Sequence, residues 1–401
     1  MSSTSATAGA GRRNASGGMS NWFYRCERCA HVAASGSRVW RCPACGAALT
    51  IEGMPRMTAD AIDRGEPGLW RYHAVLPVDH GMALSLGESM TPLVAGTLMG
   101  QPVHFKLDAL LPTGSFKDRG AGVLVAHLRE LGIERVIVDS SGNAAAAMAG
   151  YCAKAGLGCT IYAPATTSPA KLVQARAFGA DVVAVEGTRD TVARAAQEAA
   201  AVDATAFYAS HNWHPVFVEG VKTWLLEVWE QLGRRLPAAC FVPTGGGSAL
   251  VGAARALAAL GAVTPLVAAQ PAACAPVVTA CERRTEIAPV VPGDTIAEGT
   301  RIGNPARPQQ IIRAITETAG WATAVSEAEI VAALRELWGQ GLYVEPTAAV
   351  AAAACRAALA SGRTLPNGEI VVLLTGSGLK ATETIAHILD AGTASDPAAA
   401  E

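Results

Sequence analysis

Four times between residues 135 and 261 a short β-branched run gives way to an Ala-rich stretch of helical spacing. "RVIVDSSGN" leads into "AAAAMAGYCAKAGLG", "CTIYAPA" into "SPAKLVQARAFGA", "DVVAVEG" into "TRDTVARAAQEAAA" and "ACFVPTGGGS" into "ALVGAARALAALG", and "EIVVLLTGSG" closes the series. Strands apolar throughout, each followed by a helix, are buried on both faces, so parallel sheets covered by helices are expected. No period of about 20–50 residues runs through the chain, which excludes a solenoid. At 401 residues the chain exceeds one ordinary core, and two open α/β sheets meeting at a cleft fit its length. Ligands of such folds sit at the carboxyl ends of strands, where helix N-termini point.

Three strand-to-helix loops suit that position. Thr244-Gly245-Gly246-Gly247-Ser248 follows a strand ending at Val242 and opens a helix. Consecutive glycines turn backbone N–H groups inward at a positive helix end, which makes a phosphate cradle; tight packing of the turn is the competing explanation. Neither a Walker lysine nor a GxGxxG accompanies it, so NTPases and dinucleotide enzymes are not favoured. Ser140, Ser141, Gly142 and Asn143 lie at a second helix start, suited to a carboxylate or to ordinary N-capping. Thr375 and Ser377 end the last strong strand, where a hydroxyl meets a heteroatom of a bound ring or bonds its own turn.

Only six of the 32 basic residues are lysines, and one of them, Lys117, stands in "LPTGSFKDRG". With Ser115 as N-cap and apolar Leu124, Leu128 and Leu131, a helix is expected to run to about Gly132. Lys117 then falls in its first turn, where the helix dipole disfavours a cation by roughly 0.3–1 kcal/mol. An amine so placed is biased towards its neutral, nucleophilic form. The alternative is a surface lysine lying along the helix.

Ahead of the α/β region, Cys26-x2-Cys29 and Cys42-x2-Cys45 are separated by twelve residues. Each pair is a tight turn that aims two thiolates at one point, and a short hairpin between them sets the second pair opposite the first. Four thiolates give Zn²⁺ a closed tetrahedral shell with no open position, hence a structural metal in a small stapled module. His31 is read as an exposed hairpin residue and not a ligand. A redox dithiol needs one pair in a thioredoxin-like context that is missing. The remaining cysteines, Cys152, Cys159, Cys240, Cys274, Cys281 and Cys355, lie in apolar stretches and read as core.

The formal charge is −2 and only 16% of residues are charged, so nucleic-acid and membrane-surface binding have little electrostatic support. No stretch of about 18 apolar residues predicts a membrane span. Residues 1–20 lack an apolar signal core and read as a flexible tail, with 391–401 as a second, and a cytoplasmic protein is expected. The ribbon is placed at 21–50 and the catalytic region at 60–390, with a smaller subdomain at about 125–215 and the remainder forming the larger one.

Taken together, "GESMTPL", "PTGSFKDRG", "SSGN", "EGVKT", "RIGNP", "EPTAA" and "TGSGLK" resemble the fold-type II pyridoxal-phosphate (PLP) enzymes and, within them, the threonine synthases. The likeness runs from about Gly87 to Lys380, and the cysteine ribbon is similar to those of many threonine synthases. The resemblance implies two open, parallel-sheet, three-layer subdomains and a homodimer. It implies that Lys117 carries PLP, that Asn143 bonds the ring's 3′-oxygen, and that Thr244, Gly245, Gly246, Gly247 and Ser248 hold the cofactor phosphate. Thr375 would meet the pyridine nitrogen. Ser140, Ser141 and Gly142, with Thr91 and Ala144, would hold the amino-acid substrate.

Four departures separate the chain from the threonine synthase pattern. Met90 replaces the usual Asn before Thr91, and Ala144 stands where a hydroxyl residue follows the Asn of "SxGN". "TIAEG", with Glu298, and "TGGGS" are nearer the serine/threonine dehydratases. The expected reaction is conversion of O-phosphohomoserine and water to threonine and phosphate. An ammonia-lyase reaction, a related β- or γ-replacement, and a binding protein with an inactive PLP domain are the competing readings. His211 and His214 are read as packing or surface residues, Trp224 and Trp229 as helical core, and Glu345 as a solvated loop carboxylate.

Overall fold

The computed structural model describes residues 22–363 and 366–393. The expected tail at 1–20 lies outside the described residues, as does 391–401 apart from the end of the last helix. The strands are β1 (Phe23–Cys26), β2 (Val32–Ala34), β3 (Leu49–Glu52), β4 (Leu93–Leu98), β5 (Gln101–Leu107), β6 (Arg135–Asp139), β7 (Gly158–Pro164), β8 (Asp181–Val185), β9 (Ala206–Tyr208), β10 (Ala239–Pro243), β11 (Leu266–Pro271), β12 (Trp321–Val325) and β13 (Ile370–Leu374). The α-helices are α1 (Lys117–Glu130), α2 (Asn143–Ala155), α3 (Pro169–Ala177), α4 (Arg189–Val202), α5 (Pro215–Val221), α6 (Thr223–Gln231), α7 (Ser248–Leu260), α8 (Pro276–Arg283), α9 (Pro308–Thr316), α10 (Glu327–Gly339), α11 (Pro346–Ala360) and α12 (Thr382–Thr393).

Two sheets carry the α/β region. One runs β8-β7-β6-β9, parallel throughout; the other runs β12-β11-β10-β13-β5-β4. The continuous apolar runs sit centrally: every residue of β10 and β11 is buried, as strands covered on both faces require. The expectation of wholly parallel sheets fails at one edge, because β4 pairs antiparallel with β5. Met99 and Gly100 join them at positive φ of 50° and 74°, a two-residue hairpin whose twist suits the strands. Helix α11 is Ala-rich because it packs closely over the larger sheet, and Ala348 to Ala354 are all buried. Proline at the first turn of α3, α5, α8, α9 and α11 fixes φ where no donor is needed.

Helix α1 ends near Gly132 as expected, but Ser115 does not cap it. Phe116 is the residue before the helix, with no side-chain cap, and the Ser115 hydroxyl is buried without a partner. The β-bridge from Ser115 to Gly376 and the bond from Phe116 N–H to Thr375 O at 2.8 Å fix the chain here. The turn before α1 is thereby tied to the end of β13.

The ribbon departs from the expected hairpin between the cysteine pairs. Strand β1 pairs antiparallel with β2 through the first knuckle itself, and with β3 beyond the second. Nor is it a separate module. Tyr24, Cys26, Cys42, Leu49 and Ile51 belong to the same apolar core as α1, α2, α5 and α7. Tyr24 Oη lies 2.8 Å from His127 Nε2 of α1, and Trp40 meets Tyr208 edge-on with ring centroids 4.7 Å apart.

Candidate active site and metal centre

The N-termini of α1, α2, α7 and α11 converge on one cleft. Its walls carry Lys117, Ser140, Ser141, Gly142, Asn143, Ala144, Gly245, Gly246, Gly247, Ser248 and Thr375. Residues scattered over 259 positions of sequence are thus brought together by the carboxyl ends of β6, β10 and β13. Lys117 is the first residue of α1. Its Nζ lies 4.5 Å from the Phe116 ring centroid and 5.7 Å from that of Phe217. Burial in this aromatic setting, helped by repulsion from Arg189 and opposed by Glu345, brings its pKa down to about 7. At neutral pH a large share of this amine is therefore neutral, the form that bonds a carbonyl carbon.

The glycine loop is forced to be glycine on three sides. Gly247 has φ +83°, and a Cβ there would lie 2.5 Å from Ile311; a Cβ on Gly246 would strike Asn212 Oδ1; one on Gly245 would lie 2.8 Å from Thr300 Cα. Packing and cradle are thus the same feature: close approach by its neighbours holds the loop in the cleft wall at the start of α7, where a helix's first N–H groups suit an anion. Thr244 does not share in it. Its N–H donates to Ala269 O and its hydroxyl to Val242 O, both at bonding distance, so neither is free for an anion.

At the second loop, Gly142 precedes α2 with no side-chain cap, which removes ordinary N-capping as the reason for Ser140, Ser141 and Asn143. Asn143 instead donates from Nδ2 to both carboxylate oxygens of Glu345, at 3.0 and 3.2 Å. Glu345 is buried, contrary to the expectation of a solvated loop residue, because it ends the segment that enters α11 beneath the cleft. Burial raises its pKa to about 7, against the pull of Asn143, Lys380 and Lys117. Thr375 Oγ1 is buried, faces the cleft and has no partner, whereas Ser377 accepts from its own turn at Leu379 N–H.

Other expected members fall elsewhere. Thr91 and Met90 line a separate hollow formed with Leu110, Leu111 and Pro112. Thr91 is part of a buried charge network: its hydroxyl donates to Asp108 at 2.8 Å, and Arg119 bridges Asp108 and Glu227. Glu227 also accepts from Lys106 at 2.6 Å. The network occupies Thr91 fully and leaves it no face towards the cleft. Conversely, Lys171, Arg189, His211, Glu298 and Lys380 line the cleft without having been singled out for it. His211 is buried, and burial beside the Lys117 and Arg189 cations holds its pKa well below the usual histidine range. His214 is also buried, but in the aromatic cluster with Tyr24 and His127. Of the six remaining cysteines five are buried, and Cys281 is partly so.

The four ribbon cysteines present Sγ atoms within 4.8 Å of one another. Cys26 to Cys45 is 3.4 Å and Cys29 to Cys42 is 3.6 Å. A Zn²⁺ tetrahedron with ~2.3 Å arms has edges of about 3.8 Å, so the donor set fits. The two knuckles repeat one geometry: Ala30 N–H bonds Cys26 O and Gly46 N–H bonds Cys42 O, each at 2.9 Å. Among the described residues His31 is not part of any such group. PLP is fitted equally well by the chemistry of the cleft: a buried amine of lowered pKa, an anion cradle at a helix start and an unpartnered hydroxyl at a strand end.

Residues 84–376 match the family described as pyridoxal-phosphate dependent enzyme. The chain belongs to that family, as a fold-type II member with a PLP-binding catalytic domain and a small-molecule amino-acid substrate site. It is 32% identical to the threonine synthase of Methanocaldococcus jannaschii over 376 residues, covering 89% of this chain and 92% of that protein. It is 31% identical to the Mycobacterium bovis threonine synthase, covering 78% and 88%. Among solved structures, a fungal L-serine ammonia-lyase from Rhizomucor miehei superposes with TM-score 0.66 at 21% identity over 75% of this chain and 98% of that one. A threonine deaminase from T.th. gives TM-score 0.63 at 30% identity over 72% and 92%. Among the described residues no helix is long and apolar enough to cross a membrane.

Proposed function

We propose that this chain is a threonine synthase, converting O-phosphohomoserine and water to threonine and phosphate. The observation that carries the reading is Arg189. It lines the cleft and, among the described residues, makes no hydrogen bond or ion pair; Asp139 feels its field, but its donors are open to an anionic group of the substrate. Ser140, Ser141 and Gly142 hold the amino acid's carboxylate at the start of α2, beside Ala144, where the helix dipole favours a negative charge. Gly245 to Ser248 would hold the cofactor phosphate, with Thr375 available to the pyridine nitrogen and Asn143 to the ring's 3′-oxygen. Bound there through Lys117, PLP supplies an electron sink for the pair released at Cα.

The protein's own part is proton traffic. Lys117 Nζ, titrating near 7, takes a proton at Cα and returns one further along the side chain, a role typically contributing about 10²–10⁴-fold. Glu345, also titrating near 7, steadies the charged form of that amine. Phe116 and Phe217 keep water from its apolar side. A methyl at Ala144 stands in the cleft where a polar side chain is usual, leaving Arg189 to take the substrate phosphate.

Glu298 favours a second reading, a serine or threonine ammonia-lyase. It pairs with Lys171 on the cleft wall and neutralises a cation that a phosphate would use. Offering O-phosphohomoserine, threonine and serine separately to the PLP-loaded protein tests both. Phosphate with threonine supports the synthase; ammonia and a 2-oxo acid from serine or threonine, without phosphate release from O-phosphohomoserine, rejects it for the lyase.

A further inference from the structure

We propose that the cysteine ribbon holds the cofactor-phosphate loop in place through Arg307 and α9, so that metal binding and PLP binding are thermodynamically coupled. The inference rests on the reading that Gly245 to Ser248 take the cofactor phosphate. It begins with an unusual guanidinium. Arg307 is 2% exposed, and among the described residues no carboxylate pairs with it. Burial lowers its pKa to about 10, with Glu27 and Glu219 opposing, so the group is still charged at neutral pH. Its donors go to oxygens of three separate segments: Nη1 to Leu49 O at 2.7 Å and to Gln310 Oε1 at 2.7 Å, Nε to Asn212 O at 3.1 Å, and Nη2 to Trp213 O.

Each segment leads to one of two places. Leu49 is the residue of β3 registered opposite Cys26, so its carbonyl moves with a metal ligand. Asn212 follows His211 of the cleft, and its side chain lies against Gly246, where no Cβ fits. Helix α9, which Arg307 precedes, sets Ile311 against Gly247 with equally little room, and its Arg313 pairs with Glu27 of the ribbon. Two rigid paths therefore run from the ribbon to adjacent glycines of one loop. Without metal the cysteines return to thiols and nothing ties the two knuckles together, the Leu49 carbonyl loses its position, and Arg307 no longer fixes Asn212 and Trp213. Arg307 is a positioning residue, acting on the cofactor only through Asn212 and Ile311.

The test uses the full-length protein, zinc-loaded and chelator-stripped, as wild type, Arg307→Met and Arg307→Lys. PLP affinity is read from the absorbance of bound cofactor, and hydrogen exchange is followed at 211–214 and 245–248. Stripping the metal from wild type is expected to raise the PLP Kd by about tenfold, the effect of one charge-assisted hydrogen bond. Exchange at both segments should accelerate. Arg307→Met should show the same with zinc present, and Arg307→Lys should recover part of the affinity. Stripping Arg307→Met should then add little, because both changes cut the Leu49–Arg307 path and the half-exposed Arg313–Glu27 pair holds the second one only weakly. A purely structural guanidinium would lower the unfolding midpoint and leave these readouts unmoved. The proposal is overturned if stripped wild type, folded by circular dichroism, binds PLP within about twofold of the loaded form. It is also overturned if the two perturbations multiply independently. Should Arg307→Met fail to fold, the stripped wild type decides alone. Failure of the underlying site reading is distinct: PLP would then leave exchange at 245–248 unchanged in zinc-loaded wild type.

Discussion

Glu345→Gln should stabilise the cofactor-free protein at alkaline pH and not at acid pH. The folded carboxyl titrates at about 7 against an ordinary value of 4.5, chiefly through burial. The folded state therefore binds an extra proton between these values, and stability present below pH 4.5 is lost as the pH climbs through 7. About 2.5 units at 1.36 kcal/mol each make that loss ~3 kcal/mol. Glutamine carries no charge to desolvate and keeps one acceptor for Asn143 Nδ2, which now bonds both carboxylate oxygens at 3.0 and 3.2 Å. Surrendering the second contact costs about 1 kcal/mol. The variant should therefore gain roughly 2 kcal/mol at pH 8.5 and lose about 1 kcal/mol near pH 4.5. Urea unfolding of both proteins across this range measures the difference. A difference that stays flat with pH would refute the assignment of a buried, high-pKa carboxyl to Glu345. Turnover should fall as stability rises, because the group that steadies charged Lys117 is gone.

Lys117→Ala should abolish the covalent retention of PLP that borohydride treatment fixes in wild type, and lower turnover by at least ~10²-fold, read by mass spectrometry and product assay. Arg119→Met strands Asp108 in the core with only the Thr91 hydroxyl as partner and should cost about 3–5 kcal/mol in urea unfolding. Arg189→Met should raise KM for O-phosphohomoserine by at least about tenfold, with little change in PLP affinity. Cys26→Ser should lower bound zinc below one per chain, measured by metal analysis, since three thiolates no longer close the shell.

What the sequence made legible is what depends on local chemistry. The β-then-α alternation, the metal knuckles and the glycine loop each carry their reason within about ten residues, and all lie where the fold places strands, turns and helix starts. What depends on distant partners was not legible. Thr91 reads as a substrate residue until Asp108, Arg119 and Glu227, up to 136 positions away, are seen to occupy it. Glu345 reads as solvated because nothing local says that Asn143, 202 positions earlier, lies above it. The antiparallel edge was signalled only by Met99-Gly100, a weak turn pair. The ribbon's union with the main core was invisible, since Tyr24 meets His127 103 positions away and the β3 carbonyls that Arg255 and Arg307 bind are offered by any sequence.

Lysine placement shows what a compositional bias encodes. Of the six lysines, Lys106 and Lys222 are buried in ion pairs, and Lys117, Lys171 and Lys380 line the cleft. Lys154 and Lys171 stand on exposed helix faces, Lys171 at the rim of the cleft. Burial lowers the pKa of Lys106, Lys117, Lys222 and Lys380, each by desolvation of the ammonium. The buried arginines behave otherwise: Arg119 is held above its usual value by Asp108 and Glu227 despite burial, and Arg307 at about 10 is still a cation. A guanidinium fixes charge and geometry, whereas an ammonium on a flexible stem can give up its proton. A chain that meets its ordinary need for positive charge with arginine keeps lysine where the proton must be negotiable or the stem must reach. By that rule the scarcity that marks Lys117 marks Lys171 and Lys380 as well, and the cleft is where the three of them meet.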